Sequence, residues 1–429
     1  MRTEFTREQL QDEATRESNE ILRKCVHCGF CLATCPTYRL SGSELDSPRG
    51  RIYLIKEMLE QDQTPSTEVV RHIDQCLSCL SCMTTCPSGV NYMHLIDHGR
   101  ARIESRSRRP LPEKIKRYFL AALLPYPRRF RLALRLGRLA GPVRSLLPSR
   151  LRNLAGLASS PSMAPARSPL QTLYRTQAAL RGRVGLLPGC VQQATDNGIN
   201  EATVRILNRL GYQVHVLPDG ACCGAIEHHL GRAERARARF AKNVRLWRRV
   251  IEGEDLQAII VNASGCGTML KDYGHVLAGD PDLAGDARTI SRLCRDITEF
   301  MDHPEHAPPP SISARGLRVV YQNPCSMQHG QGIREQPVRL LAAYGYQVLP
   351  VKDAHLCCGS AGTYNLLQPE IAAQLGRNKA RCLEAARPDA IATGNLGCLT
   401  QLRAYTDVPI VHTVQLLDWA GGGPDPLHR

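Results

Sequence analysis

Two cysteine runs near the N-terminus limit what this chain can fold into more than any other feature. Both have the spacing C-x2-C-x2-C-x3-C-P, the first starting at Cys25 and the second at Cys76. In such runs three thiolates bind one cuboidal 4Fe-4S cluster, and the fourth thiolate binds the cluster of the other run. The spacing therefore predicts two 4Fe-4S clusters with crossed ligand sets. The predicted ligands are Cys25, Cys28, Cys31 and Cys86 for cluster 1, and Cys35, Cys76, Cys79 and Cys82 for cluster 2.

Zinc is the alternative metal for these cysteines, because C-x2-C pairs also form tetrahedral structural sites. A zinc site does not need the third two-residue step or the proline after the last cysteine, so the spacing favours iron and sulfur. The segment 36–75 between the runs is longer than a compact β-type ferredoxin requires. It contains a helix start at Ser47 and Pro48, followed by apolar residues at helical spacing. We therefore expect a helical two-cluster domain over residues 1–100.

The 18 cysteines of this 429-residue chain fit metal ligands in a reducing compartment better than disulfides. The residues that follow Met1 lack the apolar stretch of a signal peptide. No apolar run approaches the length of about 18 residues that a membrane-spanning helix needs. We therefore expect a cytoplasmic protein, either soluble throughout or peripheral on the inner face of the cytoplasmic membrane.

A basic segment rich in arginine and proline occupies residues 101–183. Its only acids are Glu104 and Glu113, and apolar patches such as residues 118–124 lie among its arginines. This combination is typical of an interfacial helix on an anionic membrane surface. The alternative is a linker whose helices dock on a partner or on the rest of the chain, with a flexible connector at residues 159–169. The net charge of +15 also suggests nucleic acid, but no recognised binding motif accompanies it, which argues against that class.

The remainder of the chain is an internal duplication. In each copy a single cysteine precedes a Cys-Cys-Gly triplet by the same number of residues, and a further cysteine follows a later glycine. We name the copies the first lobe, residues 184–316, and the second lobe, residues 317–429. The candidate metal or redox residues are Cys190, Cys222, Cys223 and Cys266 in the first lobe, and Cys325, Cys357, Cys358 and Cys398 in the second.

Each lobe alternates short apolar runs with helical patterns, which predicts parallel strands joined by crossover helices. The cysteines fall at or just beyond the carboxyl ends of the predicted strands, where open α/β sheets bind ligands. Adjacent cysteines can bridge irons in an unusual cluster or form a redox-active pair. The alternative is a set of buried thiols or the remnant of a zinc site. In the first lobe the strands are predicted at 184–187, 213–217 and 257–261, and the helices at 197–210 and 232–251.

The ferredoxin runs and the Cys-Cys-Gly lobes together resemble the family of the heterodisulfide reductase cysteine-rich subunit, the anaerobic glycerol-3-phosphate dehydrogenase small subunit and lactate-utilisation proteins. More narrowly, the segments Leu22 to Tyr38, Asp46 to Lys56 and Leu356 to Tyr364 resemble iron-sulfur subunits of glycolate oxidase. The resemblance covers essentially the whole chain. It implies an α+β multidomain fold, with an N-terminal α-helical ferredoxin domain followed by two duplicated α/β Cys-Cys-Gly lobes.

The resemblance also implies an electron-transfer subunit of a glycolate oxidase or dehydrogenase complex, which acts on CH-OH donors and is not catalytic alone. A partner subunit with FAD would oxidise glycolate to glyoxylate, and this chain would pass the electrons to a quinone or another membrane acceptor. The alternatives are the same role for lactate or glycerol-3-phosphate, and a catalytic subunit like heterodisulfide reductase. No G-x-G-x-x-G fingerprint lies between a strand and a helix here, so we expect FAD on the partner.

The chain departs from the broader family at one position of each lobe. That family ends each lobe in C-x2-C, whereas Met269 and Gln401 stand at the second cysteine position here. Each lobe therefore lacks one ligand of the five-cysteine noncubane site, so that a further iron-sulfur cluster in a lobe is altered, labile or absent. Cys294 and Cys382 have no counterpart in the duplication, and we expect them to be ordinary buried thiols.

Overall fold

The N-terminal part of the chain is helical, as the long segment between the cysteine runs predicts. A computed structural model of the protein describes residues 1–139, 170–218, 222–306 and 316–427. Helix α3 begins at the predicted position, because the Ser47 side chain accepts a hydrogen bond from the Gly50 N–H and Pro48 occupies the first turn. The helices are α1 (Glu13–Lys24), α2 (Pro36–Ser41), α3 (Pro48–Gln61), α4 (Thr67–Asp74), α5 (Ser81–Thr85) and α6 (Tyr92–Arg106), with short 3-10 turns at Gln9–Gln11 and Glu44–Asp46.

These helices enclose one apolar core around the cysteine runs. Leu22 from α1, Ile55 from α3 and Leu95 from α6 are fully buried in it, together with Cys25 and Cys76. The loops that carry the cysteines are therefore held by helices on several sides. This arrangement confirms the prediction of an α-helical ferredoxin domain.

Two further helices follow in the basic segment, α7 (Leu111–Leu123) and α8 (Pro127–Leu139). Asp74 at the end of α4 holds the start of α7, because it forms ion pairs with Arg109 at 2.6 Å and with Arg117 at 2.8 Å. The connector predicted at 159–169 lies outside the described residues. No helix in the described ranges has both the length and the apolar composition needed to cross a membrane.

The first lobe contains a five-stranded sheet in the order β1-β3-β2-β4-β5, parallel except for β1. Strands β2 to β4 and the two long helices confirm the predicted alternation. Strand β1 and the start of β2 lie in the segment predicted as linker, so the sheet begins earlier than the apolar runs indicate. The strands are β1 (Leu173–Tyr174), β2 (Gly182–Leu187), β3 (Tyr212–Val216), β4 (Ala258–Val261) and β5 (Cys294–Asp296).

The helices of the first lobe lie between and after these strands. They are α9 (Gln192–Thr195), α10 (Gly198–Arg209), α11 (Ala225–His229), α12 (Ala233–Glu254), α13 (Ser264–Lys271), α14 (Tyr273–Val276), α15 (Ala284–Leu293) and α16 (Ile297–Met301), with a 3-10 turn at Pro304–His306. Helix α16 begins with a capping box, in which Asp296 and Glu299 satisfy free N–H groups of the first turn.

The second lobe repeats the design with four parallel strands in the order β7-β6-β8-β9. Its strands are β6 (Arg318–Gln322), β7 (Gln347–Leu349), β8 (Ala390–Thr393) and β9 (Ile410–His412). Its helices are α17 (Gln336–Ala343), α18 (Tyr364–Leu367), α19 (Pro369–Glu384), α20 (Leu396–Leu402) and α21 (Thr413–Ala420), with one π-helical turn at Ser326–Gly330.

The two lobes share one apolar core, to which both sheets contribute. The last helix of each lobe packs against the first long helix of the other: α21 contacts α10, and α16 contacts α17. Asp418 on α21 is 1% exposed and accepts hydrogen bonds from Arg205 and Arg209 on α10, each at 2.6 Å. The duplicated lobes are therefore interlocked.

Candidate metal and redox centres

The first cysteine set lines one partly open cavity. Cys25, Cys28, Cys31 and Cys86 all face a space of about 440 Å³, a volume that includes solvent at its mouth. Cys28 is exposed, and the apolar side chains of neighbouring Val26 and Phe30 are exposed beside it. The four cysteines predicted to bind cluster 1 are thus brought together at the protein surface.

The second set lines a neighbouring cavity of about 320 Å³. All four of its predicted ligands face this space, and Cys82 lines both cavities together with Pro48 and Tyr92. The Tyr92 hydroxyl also donates a hydrogen bond to the Cys76 sulfur, at 3.7 Å. The predicted ligands in this cavity are Cys35, Cys76, Cys79 and Cys82. The two runs predict two adjacent cavities, each lined by cysteines from both runs.

The electrostatics of these cysteines fit a metal group. Burial raises the pKa of Cys31 to about 11, and it raises the pKa of Cys82 well above the usual thiol value. Repulsion from the neighbouring Cys79 thiolate raises the pKa of Cys82 further. Four such sulfurs become stable as thiolates only when cations lie among them, and iron in a cluster supplies that charge. The residues present therefore fit 4Fe-4S clusters.

Arg51 supplies fixed positive charge beside the second cavity. Its side chain is 1% exposed, and its guanidinium donates to the His72 carbonyl at 2.7 Å and to the Thr37 hydroxyl at 3.0 Å. It also lies 4.0 Å from the Cys35 sulfur and 3.6 Å from Asp46. Burial lowers the pKa of Arg51, but the negative charge of Cys76 and of its neighbours outweighs this and raises it. Arg51 therefore remains charged next to cluster 2.

The first lobe brings its four candidate cysteines together. The thiols lie close enough to shift one another's pKa. Hydrogen bonding with Cys190 and Cys223 lowers the pKa of Cys222, whereas hydrogen bonding with Cys222 raises the pKa of Cys190 and that of Cys223, and Cys266 raises the pKa of Cys223 further. Cys222 therefore ionises readily, whereas further thiolates in this set need a cation beside them.

The second lobe shows the same chain of sulfurs, from Cys325 to Cys357, Cys358 and Cys398. Here the bonds from Cys357 and Cys398 lower the pKa of Cys358. The Asn395 side chain donates to the Cys398 sulfur at 3.4 Å. Both lobes therefore carry four convergent, buried or half-buried sulfurs without a disulfide, a donor set that suits a soft metal.

The fifth ligand position of each lobe is filled by a buried side chain that is not a thiol. Met269 packs in the apolar core of the first lobe. Gln401 donates to the Ala372 carbonyl at 3.0 Å and accepts from the Asn365 amide at 3.0 Å. Both residues therefore have structural roles in place of the missing cysteine.

The prediction for Cys294 and Cys382 is corrected in part. Cys294 is buried as expected, but Cys382 is partly exposed, because it lies off the face of α19 that packs inward. His228 and His229, which follow the first triplet in the sequence, pair with the Asp97 carboxylate, at 3.4 and 3.1 Å.

The glycine of each triplet lets the backbone turn tightly beside the sulfurs. Gly224 has φ +85° and Gly359 has φ +84°, in the left-handed region that side chains disfavour. The N–H of each glycine donates to the sulfur of the first triplet cysteine, Cys222 or Cys357, at 3.4 Å. Around Gly359 there is also no room, because an added Cβ would lie 2.6 Å from the Ala372 carbonyl oxygen.

We expect the substitution Gly359→Ala to destabilise the second lobe by at least ~2 kcal/mol, since the positive φ alone costs about 1–2 kcal/mol and a backbone clash adds to it. Gly362→Ala is the matched control, because Gly362 has φ +64° but open space where the Cβ would be placed. Chemical unfolding of anaerobically purified protein would measure both variants. Equal losses in the two would show that the close approach to Ala372 is unimportant.

The second lobe is joined directly to the second cavity. Cys79 packs against a cluster that contains Cys325 and Cys357. After burial, the charge of Cys325 is the strongest factor that raises the pKa of Cys79. Tyr364 from α18 spans the same junction, where its hydroxyl donates to the Gln75 carbonyl at 3.0 Å. The three sites therefore form a continuous row. It runs from the first cavity, predicted to hold cluster 1, through the second cavity, predicted to hold cluster 2, to the sulfurs of the second lobe.

The sequence did not reveal the residues that build this row. Arg100 donates to the Cys76 carbonyl and to the Ser78 hydroxyl, each at 2.6 Å, and so fixes the loop of the second run. Tyr92 contacts the Cys76 sulfur from the start of α6, and Tyr364 contacts the Gln75 carbonyl from the distant second lobe. Tyr364 ends one of the segments that resemble iron-sulfur subunits of glycolate oxidase, but the contacts of all three residues arise only from tertiary packing.

Helices α7 and α8 cover both lobes near their cysteines. Leu120, Leu124, Phe130 and Leu134 form their buried face, and Ala194 of the first lobe packs into it. Leu366 of the second lobe contacts the same cluster. The docking alternative for the basic segment is thus confirmed for this face of the two helices.

Comparison with known proteins gives the same organisation. Residues 21–90 match the 4Fe-4S dicluster domain, and residues 184–271 and 319–403 match the cysteine-rich domain. A crystal structure of a hypothetical protein from Helicobacter pylori superposes with a TM-score of 0.57 over 98% of this chain and 74% of that chain. Its sequence identity is 10%, so it shows a shared fold alone.

Curated relatives match over nearly the full length. The glycolate oxidase iron-sulfur subunit of Escherichia coli (strain K12) is 40% identical, over 98% of this chain and 99% of that protein. The probable glycolate oxidase iron-sulfur subunit of Bacillus subtilis (strain 168) is 29% identical, over 98% and 99%. Lactate utilization protein A of Geobacillus kaustophilus is 26% identical but covers 55% of this chain. With its dicluster domain and two cysteine-rich domains, this chain belongs to the family of glycolate oxidase iron-sulfur subunits.

Proposed function

We propose that this chain is the electron-transfer subunit of a glycolate oxidase complex. A partner subunit with FAD oxidises glycolate to glyoxylate, which releases two electrons and two protons, and this chain carries the electrons toward a quinone-type acceptor. The observation that supports this role is the continuous row from the cluster 1 cavity through the cluster 2 cavity to the sulfurs of the second lobe. A row of redox groups that begins at the surface and continues inward is suited to electron transfer between partners.

The surface end of the row is a suitable docking position for a redox partner. Cys28 is exposed at the mouth of the cluster 1 cavity, and Val26 and Phe30 beside it are 67% and 63% exposed. A cluster held there would exchange electrons with a protein bound over these apolar side chains. We assign the ligands as the eight cysteines of the two runs, and we assign the sulfur sets of the lobes as further redox or iron-sulfur sites.

The outer face of α7 and α8 supports contact with a membrane acceptor. Exposed apolar side chains on this face include Ile115, Phe119, Leu132 and Leu136. Basic residues lie among them, including Lys114, Arg128, Arg129 and Arg135. Interfacial binding has two contributions. Apolar side chains enter the lipid boundary, and cationic side chains lie beside anionic headgroups. We therefore place the chain peripherally on the cytoplasmic membrane.

We expect the chain to float with anionic lipid vesicles at low salt and to bind less at high salt, because salt screens the attraction between arginine and headgroup. Phe119→Glu should abolish flotation, since Phe119 is 62% exposed on the outer face. Leu180→Glu is the control, because Leu180 is 57% exposed elsewhere on the molecule. Absence of binding by the unsubstituted chain at low salt would remove the membrane role.

The decisive experiment for the function uses the complex of this chain with its flavoprotein partner, purified without oxygen. Glycolate should reduce the clusters, as followed by paramagnetic resonance, whereas lactate and glycerol-3-phosphate should reduce them more slowly. Reduction by lactate or glycerol-3-phosphate alone would assign the chain to another dehydrogenase. Reduction of a disulfide by the isolated chain, with no flavoprotein recovered, would instead favour a catalytic role for the lobes.

A further inference from the structure

A lysine inside the second lobe lacks the carboxylate partner that a buried cation normally has. Lys379 lies on α19 and is 2% exposed. Its side-chain nitrogen donates to the Ala354 carbonyl at 2.8 Å and to the Asp353 carbonyl at 3.4 Å. The Asp353 carboxylate faces Arg39 instead, at 3.9 Å, and no carboxylate in the described ranges forms an ion pair with Lys379. Because a buried ammonium ion is strongly destabilising unless it is paired, an anion of another kind is needed.

The sulfurs of the second lobe lie beside the same face of α19. Leu375 and Leu383, one turn before and one turn after Lys379, are buried on that face. Leu375 packs in one apolar cluster with Cys357. Leu383 packs in another cluster with Cys358. Lys379 therefore lies between the two places where this helix meets the Cys-Cys-Gly triplet.

The neighbouring negative charges that act on Lys379 are those of cysteines. Burial lowers the pKa of Lys379, and the charges of nearby thiolates oppose this change. In order of decreasing effect, these thiolates are Cys325, Cys358, Cys382 and Cys357. Three of the four belong to the candidate sulfur set of the second lobe. This set is therefore the anionic group that acts most strongly on the ammonium ion.

The cation beside the first lobe's sulfurs, by contrast, is compensated. Arg239 on α12 is the cation whose charge acts on Cys222. It donates to both carboxylate oxygens of Glu227, at 2.6 and 3.1 Å, and Glu227 is itself buried. The neutral side chain of Asn243 donates to the Cys222 carbonyl at 3.0 Å. The two lobes thus have similar sulfur sets but different charges around them.

We propose that Lys379 is the counter-ion of the second lobe's sulfur set, and that this set is anionic in the folded protein. The negative charge belongs to ionised thiols or to a metal group that they bind, rather than to any carboxylate. Because Lys379 stabilises an added electron, a redox group on these sulfurs would be reduced more easily than one on the first lobe's sulfurs. This last step rests on the proposed electron-transfer function, whereas the counter-ion role does not.

The test is whether the effect of Lys379→Met on the melting temperature changes sign when the sulfurs are removed. In the otherwise unsubstituted chain, purified without oxygen, Lys379→Met should lower the melting temperature by at least ~3 °C, because the anion loses its counter-ion. With Cys325→Ser and Cys358→Ser present, it should raise the melting temperature, because the ammonium ion has lost its anion. Should that chain not fold, Cys358→Ser alone is used, and the loss caused by Lys379→Met should shrink by at least about half.

Lys271→Met is the matched control, because Lys271 in the first lobe has a carboxylate partner, Glu299, at 2.7 Å. Its effect should be the same in every cysteine background. An equal loss for Lys379→Met in all backgrounds would show that Lys379 acts through packing alone, and would overturn the proposal. No loss in the unsubstituted background would also overturn it, because the buried amine would then be neutral.

A second measurement tests the redox consequence in the complex with the flavoprotein. Lys379→Met should slow the reduction of a quinone-type acceptor by glycolate several-fold, while reduction of the two ferredoxin clusters stays unchanged. An unchanged rate at the acceptor would overturn the redox consequence. The melting temperatures need neither glycolate nor a flavoprotein, so that failure of the proposed function and failure of the counter-ion role are distinguishable.

Discussion

Cys79→Ala should remove about four irons from the anaerobically purified chain, because each cluster of this type contains four and loses its attachment when one thiolate is missing. Cys79 is also the cysteine that packs against the second lobe. Its loss should therefore interrupt the row and stop reduction of the acceptor by glycolate in the complex. Iron and sulfide per chain, with paramagnetic resonance, would measure the change. Cys382→Ala is the control and should retain all the iron.

The same measurement tests the crossed ligand sets. Cys28 and Cys86 belong to one predicted set although they come from different runs, so Cys28→Ala with Cys86→Ala should lose about four irons, no more than either alone. Cys28→Ala with Cys35→Ala should lose about eight, although both cysteines lie in one run. The reverse pattern would show that each run binds its own cluster. Zinc in place of iron in the unsubstituted chain would overturn the cluster assignment itself.

Arg51→Met should lower the free energy of unfolding by about 3–5 kcal/mol, the usual cost when one partner of a buried ion pair is removed. Asp46 would lose a cation 3.6 Å away, and the Thr37 hydroxyl and the His72 carbonyl would lose their donor. Cluster 2 should also become harder to reduce, because a fixed positive charge no longer stabilises the added electron. Chemical unfolding and a redox titration would measure the two effects.

Two substitutions make this prediction specific. Arg49→Met removes an arginine of the same helix that pairs with Glu44 at the surface, and it should change little. Arg51→Lys keeps the positive charge but loses the planar set of hydrogen-bond donors. It should therefore change the reduction potential of cluster 2 little, while still lowering the free energy of unfolding. An unchanged potential in Arg51→Met would show that the Arg51 charge does not act on the cluster.

Local patterns in the sequence predicted much of this structure. The cysteine spacing predicted the two sets that line the two cavities, because three ligands of each set lie close together in one run and the fourth cysteine of each run is expected to cross to the other cluster. The alternation of apolar runs predicted β2, β3, β4 and their helices within a few residues. It missed β1, β5 and β9, since strands of two or three residues are defined by the neighbour with which they pair.

Other features depend on contacts between distant segments and leave no local pattern. The approach of Cys79 to Cys325 joins residues that are far apart in the sequence. The pairing of His228 and His229 with Asp97 is of the same kind. Helices α7 and α8 dock on the lobes by one face, while their other face remains exposed. Composition alone predicted docking and membrane contact as alternatives, and membrane contact stays a prediction.

The exchange of terminal helices between the lobes has a consequence for biosynthesis. The first lobe contains all its strands by β5, yet its helix α10 is covered by α21 from near the C-terminus. During translation, the apolar surface of α10 therefore stays open until residues 413–420 have left the ribosome. A chain truncated before α21 would expose that surface permanently and would be prone to aggregation, even though both cysteine runs and both Cys-Cys-Gly triplets were complete.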